Sequence, residues 1–173
     1  MQKSTQDTTI FIHGQESSSK GTKGLFFKEH FPEMIVPDFT GTLEDRMSKL
    51  NEILAGKTDI IMVGSSLGGL MGALYAFQNK DRMKKLILLA PALNLPEFNP
   101  YREQSLSVPV YVFHGKNDEL IPAQQIEEIV KAVFPTGRFT LLDDDHRLTK
   151  KFTSINWPQL LERSAYSSNS MFQ

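Results

Sequence analysis

The chain has 173 residues and a formal net charge of −1. That length fits one domain with a single sizeable core, and a near-neutral balance without a dense Lys/Arg stripe gives nucleic-acid binding no support. There is no cysteine, which excludes disulfides, thiolate chemistry and Cys-based zinc sites. The first residues, Met1–Asp7, are polar and lack the apolar centre of a signal peptide, and no apolar run is long enough to span a bilayer. A cytoplasmic protein with no membrane partner is expected. The pairs Lys84-Lys85 and Lys150-Lys151 read as solvated faces.

Strands and helices alternate along the chain. Thr8–Ile12 reads as a buried strand, Lys20–His30 as a helix stopped by Pro32, and Met34-Ile35-Val36 as a short strand. Thr42–Leu54 carries Leu43, Met47, Leu50, Ile53 and Leu54 at helical spacing, with Thr42 as N-cap and Gly56 just past the end. Ile60–Val63 is the next strand and Leu67–Gln78 the helix after it. Leu86–Ala90 is a strand ended by Pro91, and Val110–Phe113 another. Pro122 opens a helix to about Phe134 with Ile126, Ile129, Val130 and Val133 on one face. Phe139–Leu142 is the last strand, and Ser154–Arg163 a closing helix with Pro158 in its first turn. Near-continuous apolar strands separated by helices fit a parallel sheet covered on both faces. The expectation is an α/β fold of about six mostly parallel strands. It comprises a polar segment 1–7, a domain at 8–165 and a tail at 166–173.

Gly64-Ser65-Ser66-Leu67-Gly68 sits between an apolar strand and a helix. A Ser in that setting stands on a sharp turn with its hydroxyl exposed, a nucleophile elbow. A free hydroxyl is a weak nucleophile at neutral pH, so Ser66 needs a base, an acid to orient the base, and amides for the developing oxyanion. Asp118 lies beyond the strand Val110–Phe113, at the strand end where sites of open α/β sheets gather; Glu119 is the alternative acid. His146 leaves the last strand and is the only His after the candidate acid. The run Asp143-Asp144-Asp145 before it reads as a solvated acidic turn. His13 is a second candidate base, though its place suits shaping the loop after the first strand. The oxyanion donors are the backbone N–H of Leu67, just after the nucleophile, and that of Gln15 in the first loop. Gly14-Gln15-Glu16-Ser17-Ser18-Ser19-Lys20-Gly21 fails as a phosphate-binding loop, because Ser replaces the second Gly and Gly the Mg-binding hydroxyl residue. Gly-x-Gly-x-x-Gly is absent, and no His/Asp/Glu set has metal-ligand spacing, so neither cofactor nor metal is expected.

Taken together, Gly64–Gly69, His13-Gly14, His114-Gly115-Lys116-Asn117-Asp118 and His146 resemble the serine α/β-hydrolase superfamily over roughly residues 8–165. The small size is similar to the compact bacterial esterases of the YqiA-like group. The resemblance implies a triad of Ser66, Asp118 and His146, and a minimal sheet without the family's first two strands. One departure is the run of aspartates before His146 in place of the common Gly-x-x-His approach. Pro91–Val108 is too short for a cap domain. It can offer a few wall residues, Leu93, Leu95 and Phe98; Glu16, Leu120 and Ile121 are further pocket candidates. The expected activity is hydrolysis of a small or short-acyl carboxylic ester through an acyl-enzyme. A thioesterase on the same triad and a non-catalytic binding protein on this scaffold are the alternatives.

Overall fold

Five strands, β1 (Thr8–Ile12), β2 (Ile60–Ser65), β3 (Met83–Leu89), β4 (Val110–Gly115) and β5 (Arg138–Leu142), lie side by side in chain order, each parallel to the next. They belong to a computed structural model that describes residues 7–162. The N-terminal polar segment apart from Asp7, and the expected tail 166–173, lie outside the described residues. Helices α1 (Thr22–His30), α2 (Leu43–Ile53), α3 (Leu67–Gln78), α4 (Ala123–Val133) and α5 (Trp157–Leu160) fill the connections and the C-terminal end.

Successive strand residues point to opposite faces. Ile10, Ile12, Met62, Leu86, Leu88, Val110 and Val112 form one core with α2, α3 and α4. Phe11, Ile61, Val63, Ile87 and Leu89 form a second core with Phe27 of α1 and Trp157 of α5. Because both faces are covered, the central strands are apolar at nearly every position rather than alternating. Thr42 caps α2 as expected: its side chain accepts from the Asp45 amide while the Asp45 side chain accepts from the Thr42 amide. Ile12 pairs with Gly64, Ser65 with Leu89 and Gly115 with Leu142. The loops after β1, β2, β4 and β5 therefore leave the sheet at one edge. Among the described residues there is no cap domain: residues 91–108 form only a 3-10 turn at Pro96–Tyr101. Among the described residues no helix is long and apolar enough to cross a membrane.

Three expectations change. Met34–Val36 is not a sixth strand but a single parallel bridge, Ile10 to Ile35. The Ile35 amide donates to Thr9, and Phe11 donates to Ile35. The next rung would need an N–H at position 37, which is Pro37. Lys84-Lys85 is not a solvated face. Lys85 is buried and donates to the Leu160 carbonyl and to Glu162, while Lys84 pairs with Asp7 and Glu162. The closing helix is broken into a 3-10 turn at Phe152–Ser154 and the short α5, which Asn156 caps; Arg163 lies outside the described residues.

Candidate active site

Ser66 is the residue between β2 and α3, with φ 54° and ψ −114°. A left-handed φ is costly for a residue with a Cβ and survives only where surroundings over-determine it. Here the Ser66 amide donates to Leu89 on β3, while the Ser66 carbonyl accepts from Gly69, Leu70 and Ala92. Gly64 and Gly68 allow the close approach. A Cβ on Gly64 would collide with the Gly68 carbonyl, and one on Gly68 with the carbonyls of Ile12 and His13 at the end of β1. The elbow is thus wedged against both neighbouring strands.

His146 and Asp118 meet Ser66 from two other loops. His146 Nε2 is 3.1 Å from Ser66 Oγ, and Nδ1 is 2.7 Å from Asp118 Oδ2. With Nδ1–H donating to the carboxylate, Nε2 presents its lone pair to the hydroxyl. The Asp118 side chain is fully buried, and its Oδ1 accepts the amides of Leu120 and Ile121 at 2.9 and 2.8 Å. Glu119 is exposed and forms none of these contacts.

The loops that carry Asp118 and His146 are stitched together. The Lys116 amide donates to Leu142, the Asn117 amide to Asp144, and the Lys116 ammonium pairs with Asp143 at 2.9 Å. Contrary to a solvated acidic turn, Asp144 is buried. Its carboxylate accepts the amides of Asp145, Lys150 and Lys151 at 2.8–2.9 Å and so cinches the loop that presents His146. That internal anchor takes the place of the Gly-x-x-His approach.

The loop after β1 lies against the elbow: a Cβ on Gly14 would sit 3.3 Å from Ser66 Cβ. Among the described residues neither the Gln15 nor the Leu67 amide donates to a protein acceptor. Leu67 also opens α3, where the helix dipole favours negative charge. His13 is buried 26 residues away in sequence from its partner Phe39, whose amide donates to His13 Nε2 at 2.9 Å. Its Nδ1–H therefore donates to the Gly14 carbonyl at 2.7 Å, which pins the peptide whose N–H belongs to Gln15. Burial holds the His13 pKa below the ordinary value, so the 3.9 Å approach to Asp38 is not an ion pair at neutral pH. Arg46, a buried guanidinium on α2, donates to the Gln15 carbonyl at 3.3 Å. Sequence reasoning missed Arg46, since only the fold brings it to a loop 31 residues away.

A cleft of about 590 Å³ opens over Ser66 and His146, walled by Gly14–Ser17, Thr22, Lys23, Leu120, Arg147 and Thr149. Of the pocket candidates, Glu16 and Leu120 line it. Leu93, Leu95, Phe98 and Ile121 do not. Leu93, Phe98 and Ile121 are buried in the core with α2–α4, and Leu95 packs on that core. The 91–108 segment folds back because Phe98 and Tyr101 pack on Phe77 of α3, at 6.0 and 4.9 Å between ring centres. The cleft's own lining is mixed, with charged and hydroxyl side chains from its loops beside apolar surface from Phe11 and Leu120.

A family model described as the alpha/beta hydrolase fold matches residues 14–106, more than half of the chain. The chain belongs to the alpha/beta hydrolase fold family. Solved structures of the same fold include Est1E from Butyrivibrio proteoclasticus, with 20% identity over 90% of this chain and 86% of that one and a TM-score of 0.74. Alpha/beta hydrolase domain-containing protein 10 from mouse is 21% identical over 83% of both chains, with a TM-score of 0.72. The esterase EaEST from Exiguobacterium antarcticum is 13% identical over 91% of this chain and 90% of that one, also at 0.72. No curated protein matches the sequence significantly.

Proposed function

We propose that this alpha/beta hydrolase is a serine hydrolase that cleaves a small or short-acyl carboxylic ester through an acyl-enzyme. The observation that carries the reading is the unbroken line Ser66 Oγ, His146 Nε2, His146 Nδ1 and Asp118 Oδ2, at 3.1 and 2.7 Å. Ser66 attacks the ester carbonyl while His146 takes its proton. Asp118 keeps the imidazole in the useful tautomer and stabilises its protonated form. The Gln15 and Leu67 amides, free of other acceptors, receive the oxyanion. His146 then gives its proton to the leaving alcohol. In the second half it activates a water that attacks the acyl carbonyl, and Ser66 leaves with the proton restored.

The small apolar share of the cleft's side chains, Phe11 and Leu120, supports short acyl groups. Each buried methylene contributes about 0.8 kcal/mol only where an apolar wall receives it, and Leu93 and Leu95, which could have extended such a wall, lie in or against the core instead. The solved structure of similar fold that is described as an esterase, EaEST, agrees with an ester substrate, and the short 91–108 segment supports a place beside the YqiA-like esterases. A cytoplasmic setting and a small-molecule substrate are part of the same reading. The test is kcat/KM on p-nitrophenyl esters from acetate to palmitate, beside acyl-CoA thioesters. The expected maximum falls at acetate to butyrate with thioesters slower; a rise continuing to palmitate, or faster thioester cleavage, contradicts the substrate class.

A further inference from the structure

Asp118 has a neighbour that the reaction above does not use. His114, on β4, has no exposed surface. Its Nε2 lies 2.9 Å from the Ile121 carbonyl oxygen and 3.1 Å from Asp118 Oδ2. Both of those oxygens only accept, so Nε2 carries the ring proton. Nδ1 is buried and meets no partner among the described residues. A bare lone pair there costs less than a second, unsatisfied N–H on a cation. Burial also holds the His114 pKa below the ordinary histidine value. The ring is nearly parallel to that of Phe139, 22° between planes with centres 6.1 Å apart.

We infer that His114 is the positioning residue of the acid: its Nε2–H, shared between the Ile121 carbonyl and Asp118 Oδ2, closes the turn that carries Asp118 and sets the oxygen that His146 uses. The inference rests on the Ser66–His146–Asp118 reading. His114 touches neither Ser66 nor the cleft. It acts through Oδ2, which faces two imidazole donors while Oδ1 takes two amides. Each donor on a carboxylate reduces the charge it presents to the next. Without His114, Asp118 holds a protonated His146 more tightly, and the base becomes available only at higher pH. The other charged groups around His146 are Asp143, Asp144, Asp145 and Arg147 on its own loop, Lys116 on the acid loop, and Glu16 and Lys23 along the cleft. None forms an ion pair with Asp118 among the described residues.

His114→Leu removes the donor, and His114→Gln returns an amide N–H near the same place. The readouts are kcat, KM and the pH profile on p-nitrophenyl acetate from about pH 5.5 to 9, with Tm alongside. In His114→Leu, kcat falls about tenfold or more with KM within about twofold. The acid limb of kcat/KM moves upward. His114→Gln recovers most of the rate and the limb. An unmoved limb in a folded Leu variant, or a Gln variant no better than Leu, overturns the assignment. Long-range 1H–15N spectra of the unaltered protein decide the matter without a variant: the inference requires His114 neutral and protonated at Nε2 at neutral pH. A proton on Nδ1 overturns it. If the unaltered protein cleaves no ester, the serine-hydrolase reading fails, and the spectra still decide the state of His114.

Discussion

Asp118→Asn keeps the shape of the acid and removes its charge. In the native site both carboxylate oxygens face donors: the Leu120 and Ile121 amides on Oδ1, and His146 Nδ1 and His114 Nε2 on Oδ2. Asn offers one accepting oxygen and an NH2 that only donates. With the oxygen turned to the backbone amides, the NH2 faces His146 Nδ1, which must then accept. The ring proton moves to Nε2 and points at Ser66 Oγ, leaving no lone pair for the hydroxyl proton. With the amide reversed, the Leu120 and Ile121 amides both lose their acceptor and face the NH2, whereas in the first orientation His114 Nε2–H keeps the Ile121 carbonyl, so the first orientation prevails. The expected loss in kcat is about 10^4, as for this exchange in other Ser-His-Asp sites. That corresponds to about 5.4 kcal/mol of transition-state stabilisation. Glu119→Gln, exposed and outside these contacts, should stay within about threefold of the parent. The assay is kcat and KM on p-nitrophenyl acetate, with Tm as the control for folding. An Asp118→Asn protein within about tenfold of the parent, or a Glu119→Gln protein that is the more damaged, refutes the reasoning.

His13→Ala should lower kcat less than His146→Ala does, because it loosens the peptide bearing the Gln15 amide without removing the base; the reverse ranking in a kcat comparison would exchange their roles. Stability should fall as pH drops below about 6.5, the ordinary histidine value. His13 and His114 are both held below that value by burial, so there the unfolded chain binds protons that the folded one does not. A Tm flat from about pH 7 to 5 would contradict their burial as neutral rings. Leu93→Ala should cost about 2–5 kcal/mol in denaturant unfolding while leaving the ester-length preference unchanged; a changed preference at unaltered stability would return Leu93 to the cleft wall.

The sheet and the chemistry-bearing loops were legible because their signals are local. Ile60–Val63 followed by Gly64-Ser65-Ser66-Leu67-Gly68 announces strand, turn and helix within one stretch, and Thr42 announces its cap three residues from Asp45. What depends on the partner across space was not legible. Met34–Val36 has the composition of a strand, yet Pro37 lacks the N–H for a second rung. Leu93, Leu95 and Ile121 are apolar residues in site loops, and nothing local tells which side of the sheet they will cover. Asp144 reads as a solvated acid until Lys150 and Lys151 bring their amides round to it. His114 stands four residues before Asp118, a visible spacing, but its role follows only from the turn that places Ile121's carbonyl beside its ring.

The central claim is that Ser66 is the nucleophile. Treating the protein with a fluorophosphonate probe, followed by peptide mass analysis, tests it most directly. The account predicts a single phosphonyl adduct on the peptide containing Ser66, formed faster at neutral than at acidic pH. It also predicts no adduct in Ser66→Ala and none after heat unfolding of the parent. An unlabelled native protein, or an adduct on Ser65 or elsewhere, contradicts it.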